Sequence, residues 1–172
     1  MKQSQTRFVC QQGFQNRNTD EHLFNGLMFQ PKVIGIVLAI GALLQNAWLF
    51  ALLATVLWWC VLAPAFNVFE MLYNRVVADR RGWPHVAPAP EPRRFAQGLA
   101  SMLSVVIAAA LAAGTTIAAL VVEALLAAAV LAIVFANFCF GSWAYRRLHR
   151  RLFDQASEHQ ASAGVGAPAP QS

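Results

Sequence analysis

Charge is what this sequence has least of. Only 12% of its residues are charged and 58% are hydrophobic, where a soluble domain carries roughly 25% charged and about 45–50% apolar residues. The deficit is concentrated. No charged side chain occurs from Val33 to Phe69, and Glu123 is the only one from Phe95 to Tyr145. Water cannot solvate such stretches, so a soluble globular domain is excluded. Disorder of the middle of the chain is excluded too, because disorder needs low hydrophobicity. Histidine is missing from the same stretches: His22, His85, His149 and His159 all lie outside them. A haem held between membrane helices by two histidines therefore has no ligands. The three cysteines, Cys10, Cys60 and Cys139, are too few and too widely spaced for a disulfide framework. No Cys/His cluster has metal-ligand spacing, and Cys10 with His22 is a pair without a second half. No metal and no cofactor is expected. Walker loop, dinucleotide fingerprint, Ser/His/Asp order and HExxH motif are all absent.

What is present is a set of long apolar runs. A hydrocarbon core of about 30 Å takes about 20 helical residues at 1.5 Å each. The first run breaks at Gln45-Asn46 and the second at Gly114-Thr115-Thr116, both suited to tight turns. The runs are rich in Ala and Leu and lack period-2 alternation, so they read as helices rather than barrel strands. The expected fold is all-α: an integral membrane four-helix bundle made of two pseudo-repeated helical hairpins. The helices are placed at about 27–44, 47–66, 95–113 and 117–145 within a transmembrane domain over 24–147. A cytoplasmic N-terminal segment (1–23) precedes it, a cytoplasmic loop (74–94) divides it, and a basic stub with a disordered tail (148–172) follows. The first 30 residues hold charge and no long apolar run, so they are not a secretory signal peptide. The first apolar segment is then the targeting signal that stays in the chain.

The net charge of +5 is explained by cationic flanks of membrane spans, and nucleic acid is not expected as a partner. The 13 basic residues gather in three groups, Lys2, Arg7, Arg17 and Lys32 toward the N-terminus, Arg75, Arg80, Arg81, Arg93 and Arg94 about the central loop, and Arg146, Arg147, Arg150 and Arg151 toward the C-terminus, and none lies in the two turns. Cytoplasmic loops collect Lys and Arg, so both termini and the central loop are expected in the cytoplasm of a bacterial inner membrane.

The two halves align without gaps at an offset of 72 residues. Gly26-Leu27 matches Gly98-Leu99, Ala47 matches Ala119, and Phe66, Tyr73 and Arg75 match Phe138, Tyr145 and Arg147. This is a parallel repeat, of a kind that transporters use and that small duplicated scaffolds also show. Between the halves, Asp79–Arg94 carries Pro84, Pro88, Pro90 and Pro92 and reads as an extended linker.

Three segments together resemble a bacterial membrane family, domain of unknown function 4395: Pro92-Arg93-Arg94-Phe95-Ala96-Gln97-Gly98, Leu72-Tyr73-Asn74-Arg75, and Phe138-Cys139-Phe140-Gly141-Ser142-Trp143-Ala144-Tyr145. The resemblance covers roughly Phe24 to Arg147. It implies the fold and topology and supplies no reaction. Members commonly close the last helix with a Phe-Cys-x-Gly-Cys-like segment; Ser142 stands at the second cysteine here, which speaks against a dithiol cycle within the chain.

Candidate site residues follow from polarity inside apolar helices, which usually faces the interior. Cys139 and Ser142 share a helix face, with Cys139 on the order of 9 Å below the cytoplasmic interface. The repeat sets Asn67 opposite Cys139 and Glu70 opposite Ser142. With Asn137 nearby and Lys32 able to snorkel to the same level, the candidate cluster is Lys32, Asn67, Glu70, Asn137, Cys139 and Ser142. As a catalytic group only Cys139 qualifies, given thiolate character from a nearby cation; the bland reading is helix glue. Trp58 and Trp59, mid-helix, either fill a gap between helices or contact lipid, a quinone or a second subunit. Glu123 reads as a carboxylate at the far headgroup level. The favoured function is an accessory or scaffold subunit of a membrane assembly, not an enzyme. Its partners are membrane lipids and a protein partner or a second copy of the chain. Thiol or sulfur redox chemistry at Cys139 is the alternative, and a small dimeric transporter is the third reading.

Overall fold

The structure is a computed structural model and describes residues 3–14 and 21–150. The described residues are all-helical, with no strand. A short helix, α1 (Gln3–Gln11), precedes α2 (Glu21–Leu44) and α3 (Ala47–Leu62). A single 3-10 turn, Pro64–Phe66, leads to α4 (Val68–Tyr73), which runs through a wider turn (Asn74–Ala78) into α5 (Asp79–Arg81). An extended segment, 83–90, then feeds α6 (Glu91–Ala112), α7 (Thr116–Ala136) and α8 (residues 140–150). The tail expected after residue 150 lies outside the described residues.

Local chemistry explains the boundaries. Asn46 opens α3 by accepting the Trp48 and Leu49 amides at 2.9 and 3.4 Å, a standard use of Asn where the first amides lack partners. Pro64 has no amide to continue α3, so the helix stops at Leu62 rather than at the expected 66. Pro92 sits in the first turn of α6, where its fixed φ is already helical, and α6 therefore begins at Glu91 instead of 95. The expected 117–145 helix is two helices. Asn137 is left-handed, at φ 52°, and its amide caps the Ile133 carbonyl; Asn tolerates that conformation better than other side chains.

Among the described residues, three helices are long and apolar enough to cross a membrane: His22–Leu44, Glu91–Ala112 and Thr116–Ala136. The shorter α3 is apolar as well. Each of the four packs on two others: α3 on α6 and α2, and α7 on α6 and α2. Two contacts fix the ends. Gln45, in the α2–α3 turn, donates to Glu123 of α7 at 3.1 Å, while Arg94 of α6 donates twice to the Val61 carbonyl at the end of α3, at 3.0 and 2.8 Å. The start of α3 thus lies beside the first half of α7, and its end beside the start of α6.

The core between these helices includes Leu38, Phe50, Leu57, Ile107 and Leu126. A second cluster, with Phe8, Val9, Leu27, Tyr73, Val86 and Cys139, ties α1 and the extended segment to the α2 and α8 ends. The outer faces stay apolar: Leu43, Trp48, Ile117 and Phe135 are all more than three-quarters exposed. Patches of this kind mark lipid-facing or interaction surfaces rather than water-facing ones.

Candidate functional site

Polar side chains gather where α6 begins. Arg93, Gln97, Ser101 and Ser104 are all buried and recur at helical spacing, so they form one stripe on α6. Ser101 Oγ donates to the Ala54 carbonyl of α3 at 2.9 Å, and Ser104 Oγ to Ala100 on its own helix at 2.8 Å. Above them, Arg93 Nη2 donates to Gln30 Oε1 of α2 at 2.9 Å, and Gln97 Nε2 donates to the same oxygen at 2.9 Å. Arg93 Nε lies 3.4 Å from Glu70 Oε1 of α4, with both side chains buried. That separation is an ion pair without an aligned hydrogen bond, and neither atom has another hydrogen-bond partner among the described residues. Burial pushes the Glu70 carboxyl up to about 7, with Arg93 pulling it back down.

Asn67 starts α4 by accepting the Phe69 and Glu70 amides at 3.1 and 3.5 Å. This cap aims Glu70, in the first turn, at Arg93. The other break delivers Ser142 to the neighbouring residue: its Oγ lies 3.1 Å from the Pro92 carbonyl and 3.4 Å from Cys139 Sγ. One hydroxyl proton serves one acceptor. Donated to Pro92, it leaves the Ser142 oxygen able to accept from the Cys139 S–H. The Cys139 backbone is gripped as well. Gln11 of α1 donates to its carbonyl at 3.0 Å and accepts its amide at 3.2 Å. Gly141 lets α8 approach α6 closely: a Cβ there would stand 2.7 Å from the Ala96 Cα.

The structure thus brings Asn67, Glu70, Cys139 and Ser142 to the root of α6. It does not bring Lys32 or Asn137 there. Lys32 is exposed on α2, where Gln30, Pro31 and Ile34 take the buried positions. Asn137 ends α7 and borders a separate basic depression with Arg7, Arg146, Arg147 and Arg150. Trp58 and Trp59 point outward, 39% and 55% exposed, so they fill no gap between the described helices. Glu123 is buried and accepts from the amide of Gln45, in the α2–α3 turn.

The sequence reading missed Arg93, Gln97, Gln30 and Gln11. Arg93 was counted with the loop cations, yet it is 4% exposed. The spacing of Arg93, Gln97, Ser101 and Ser104 was the available signal: a polar stripe at one face of an apolar helix. Gln11 gave none, since nothing local ties α1 to Cys139.

A cavity of about 490 Å³ adjoins this network, between α2, α6, α7 and the first turn of α8. Its walls are apolar, and Gln30, Arg93, Gln97 and Cys139 lie on its border. Among the described residues no group of three or more His, Cys, Asp or Glu could hold a metal ion. Comparison with curated proteins and with solved structures finds no match. The pattern of one family, the domain of unknown function DUF4395, matches residues 25–150, and the chain belongs to that family.

Proposed function

We propose that this chain crosses the bacterial inner membrane four times, with both termini and the 74–94 loop in the cytoplasm, and serves as an accessory or scaffold component of a membrane assembly. The even count rests on α3. It runs antiparallel beside α6, its end against the first turn of α6 and its middle against the middle of α6, which supports reading α3 as a fourth crossing. The orientation rests on the cations, which flank one end of the helices and are absent from both turns. The two breaks, 72 residues apart, support a duplicated hairpin: each releases a short helix whose third residue, Glu70 or Ser142, reaches the root of α6.

The observation that carries the non-catalytic reading is how the buried polar groups are used. Arg93, Gln97, Gln30, Glu70 and Ser142 are directed at other helices of the same chain, which is the use membrane helices make of polar groups as glue. Solubilising native membranes in a mild detergent and purifying the full chain tests this: a stoichiometric partner protein is expected, and a clean monomer with an activity of its own rejects the reading.

Thiol chemistry at Cys139 is the second reading, favoured by its place on the cavity wall. It requires that a membrane-permeant maleimide modify Cys139 faster than the buried Cys60. Equal inertness of the two thiols rejects it.

A further inference from the structure

Positive charge collects without a counter-charge where α8 meets α1. Trp143, Arg146, Arg147 and Arg150 follow at i, i+3, i+4 and i+7, so they share one face of α8. Helix α1 adds Arg7 to the same surface, and the four guanidinium groups line a depression of about 460 Å³ bordered by Asn137 and Phe138. No Asp or Glu lines it. Among the described residues none of the four arginines has an ion pair, the pairs there being His85 with Asp79 and Arg93 with Glu70. Glu91, which reaches α8, accepts instead from Tyr145 at 2.6 Å.

The fold holds these like charges together. Like charges one turn apart repel, yet α1 is fixed against α8. Arg146 Nη1 donates to the Cys10 carbonyl at 2.7 Å, Gln11 exchanges two hydrogen bonds with the Cys139 backbone, and Phe8 and Val9 are fully buried. Arg147 lies 5.9 Å from the centre of the Trp143 ring. Arg7 and Arg150 have no hydrogen-bond partner among the described residues, so their donors are free. Such a cluster calls for an anion, and guanidinium forks match phosphate oxygens in pairs. With no carboxylate to receive an ammonium group, a zwitterionic choline head fits poorly. The neighbours say what carries the phosphate. The depression reaches Ala136 at the end of α7, and Phe135 beside it is exposed on the apolar outer face. An acyl chain can lie along α7 while its head meets the arginines.

We propose that the depression between α1, the α7–α8 break and α8 binds the headgroup of an anionic phospholipid. The four guanidinium groups neutralise its phosphate, and Arg7 and Arg150 donate to the phosphate oxygens. The four-crossing reading puts this site at the cytoplasmic leaflet, where basic pockets beside membrane helices hold such heads; the binding itself does not depend on that orientation.

The chain carries its own reporter, because Cys10 is exposed and lines the depression while Cys60 is fully buried. The full chain in uncharged detergent micelles is treated with N-ethylmaleimide, and modification of the Cys10 peptide is followed. Salt at about 0.15 M screens loose surface attraction. Dioleoylphosphatidylglycerol should slow the reaction at concentrations about tenfold lower than dioleoylphosphatidylcholine. Replacing Arg7→Gln together with Arg150→Gln should raise the phosphatidylglycerol needed about tenfold, as the loss of a charge-assisted hydrogen bond implies. Both side chains are exposed, and continued inertness of Cys60 shows that the variant is folded. Micelles have no sides, so the result stands apart from the proposed topology. Equal protection by the two lipids, or protection unchanged in the double variant, overturns the proposal. So does inorganic phosphate protecting Cys10 at the same concentration as the lipid, which would assign the depression to a soluble anion.

Discussion

The two interrupted helices, α3 and α7, end in the same way by different means. At the end of α3 the break is made locally: Pro64 stops the helix and Asn67 starts the next one with its own side chain. At the end of α7 the break is held from a distance. Asn137 turns the chain, but Gln11, from the other end of the sequence, grips the Cys139 backbone. The first break delivers a charge to the root of α6, as Glu70 against Arg93, and the second delivers a hydroxyl, as Ser142 against Pro92. The same backbone layout therefore supports one side that is costly to disturb and one that is nearly neutral.

The largest effect should come from the charged side. Arg93→Leu leaves Glu70 buried without its cation, and breaking a buried pair in this way costs about 3–5 kcal/mol. The full cost should appear at pH 9, where Glu70 is ionised, and less at pH 5, where it holds a proton; unfolding in detergent, followed by tryptophan fluorescence, measures it. The unaltered chain carries the related signature. The folded carboxyl titrates near 7, against an ordinary value of 4.5, so between those values the folded state binds more protons. This group's contribution to stability therefore falls as pH rises through that window, and Glu70→Gln should flatten the profile there.

Next comes the approach of α8 to α6. Gly141→Ala sets a methyl group 2.7 Å from the Ala96 backbone and should cost about 1–3 kcal/mol as overpacking. Asn67→Ala should cost about 1 kcal/mol, the value of a lost cap, and should loosen Glu70 with it. Ser142→Ala should be mildest, about 0.5–1.5 kcal/mol for one hydrogen bond. If Ser142→Ala instead matches Arg93→Leu at pH 9, the contrast between the charged and neutral sides is wrong.

Much of this molecule could be read from its sequence, and the reasons differ by element. Long uncharged runs report their own environment, so the apolar helices and both turns were legible. The break at Asn137 was not, because nothing in Phe135–Phe140 forbids a helix as Pro64 does. Cys139 and Ser142 stand out as polar residues on one face of an apolar stretch, and the 72-residue offset leads from them to Asn67 and Glu70. Arg93 was lost for the opposite reason: Pro92-Arg93-Arg94 reads as a basic flank, and only its phase with Gln97, Ser101 and Ser104 separates the buried arginine from Arg94, which turns to the Val61 carbonyl. Gln30 and Gln11 matter through contacts far apart in sequence, which no local pattern records.

The crossing number and the side of the cations are tested most directly by labelling single cysteines, placed in a cysteine-free background, with a membrane-impermeant maleimide in spheroplasts. Leu44→Cys and Thr115→Cys, one at each turn and both exposed, should react from outside, and Arg80→Cys only after the membrane is permeabilised. Reaction of Arg80→Cys from outside, or of the two turns from opposite sides, would contradict the four-crossing topology.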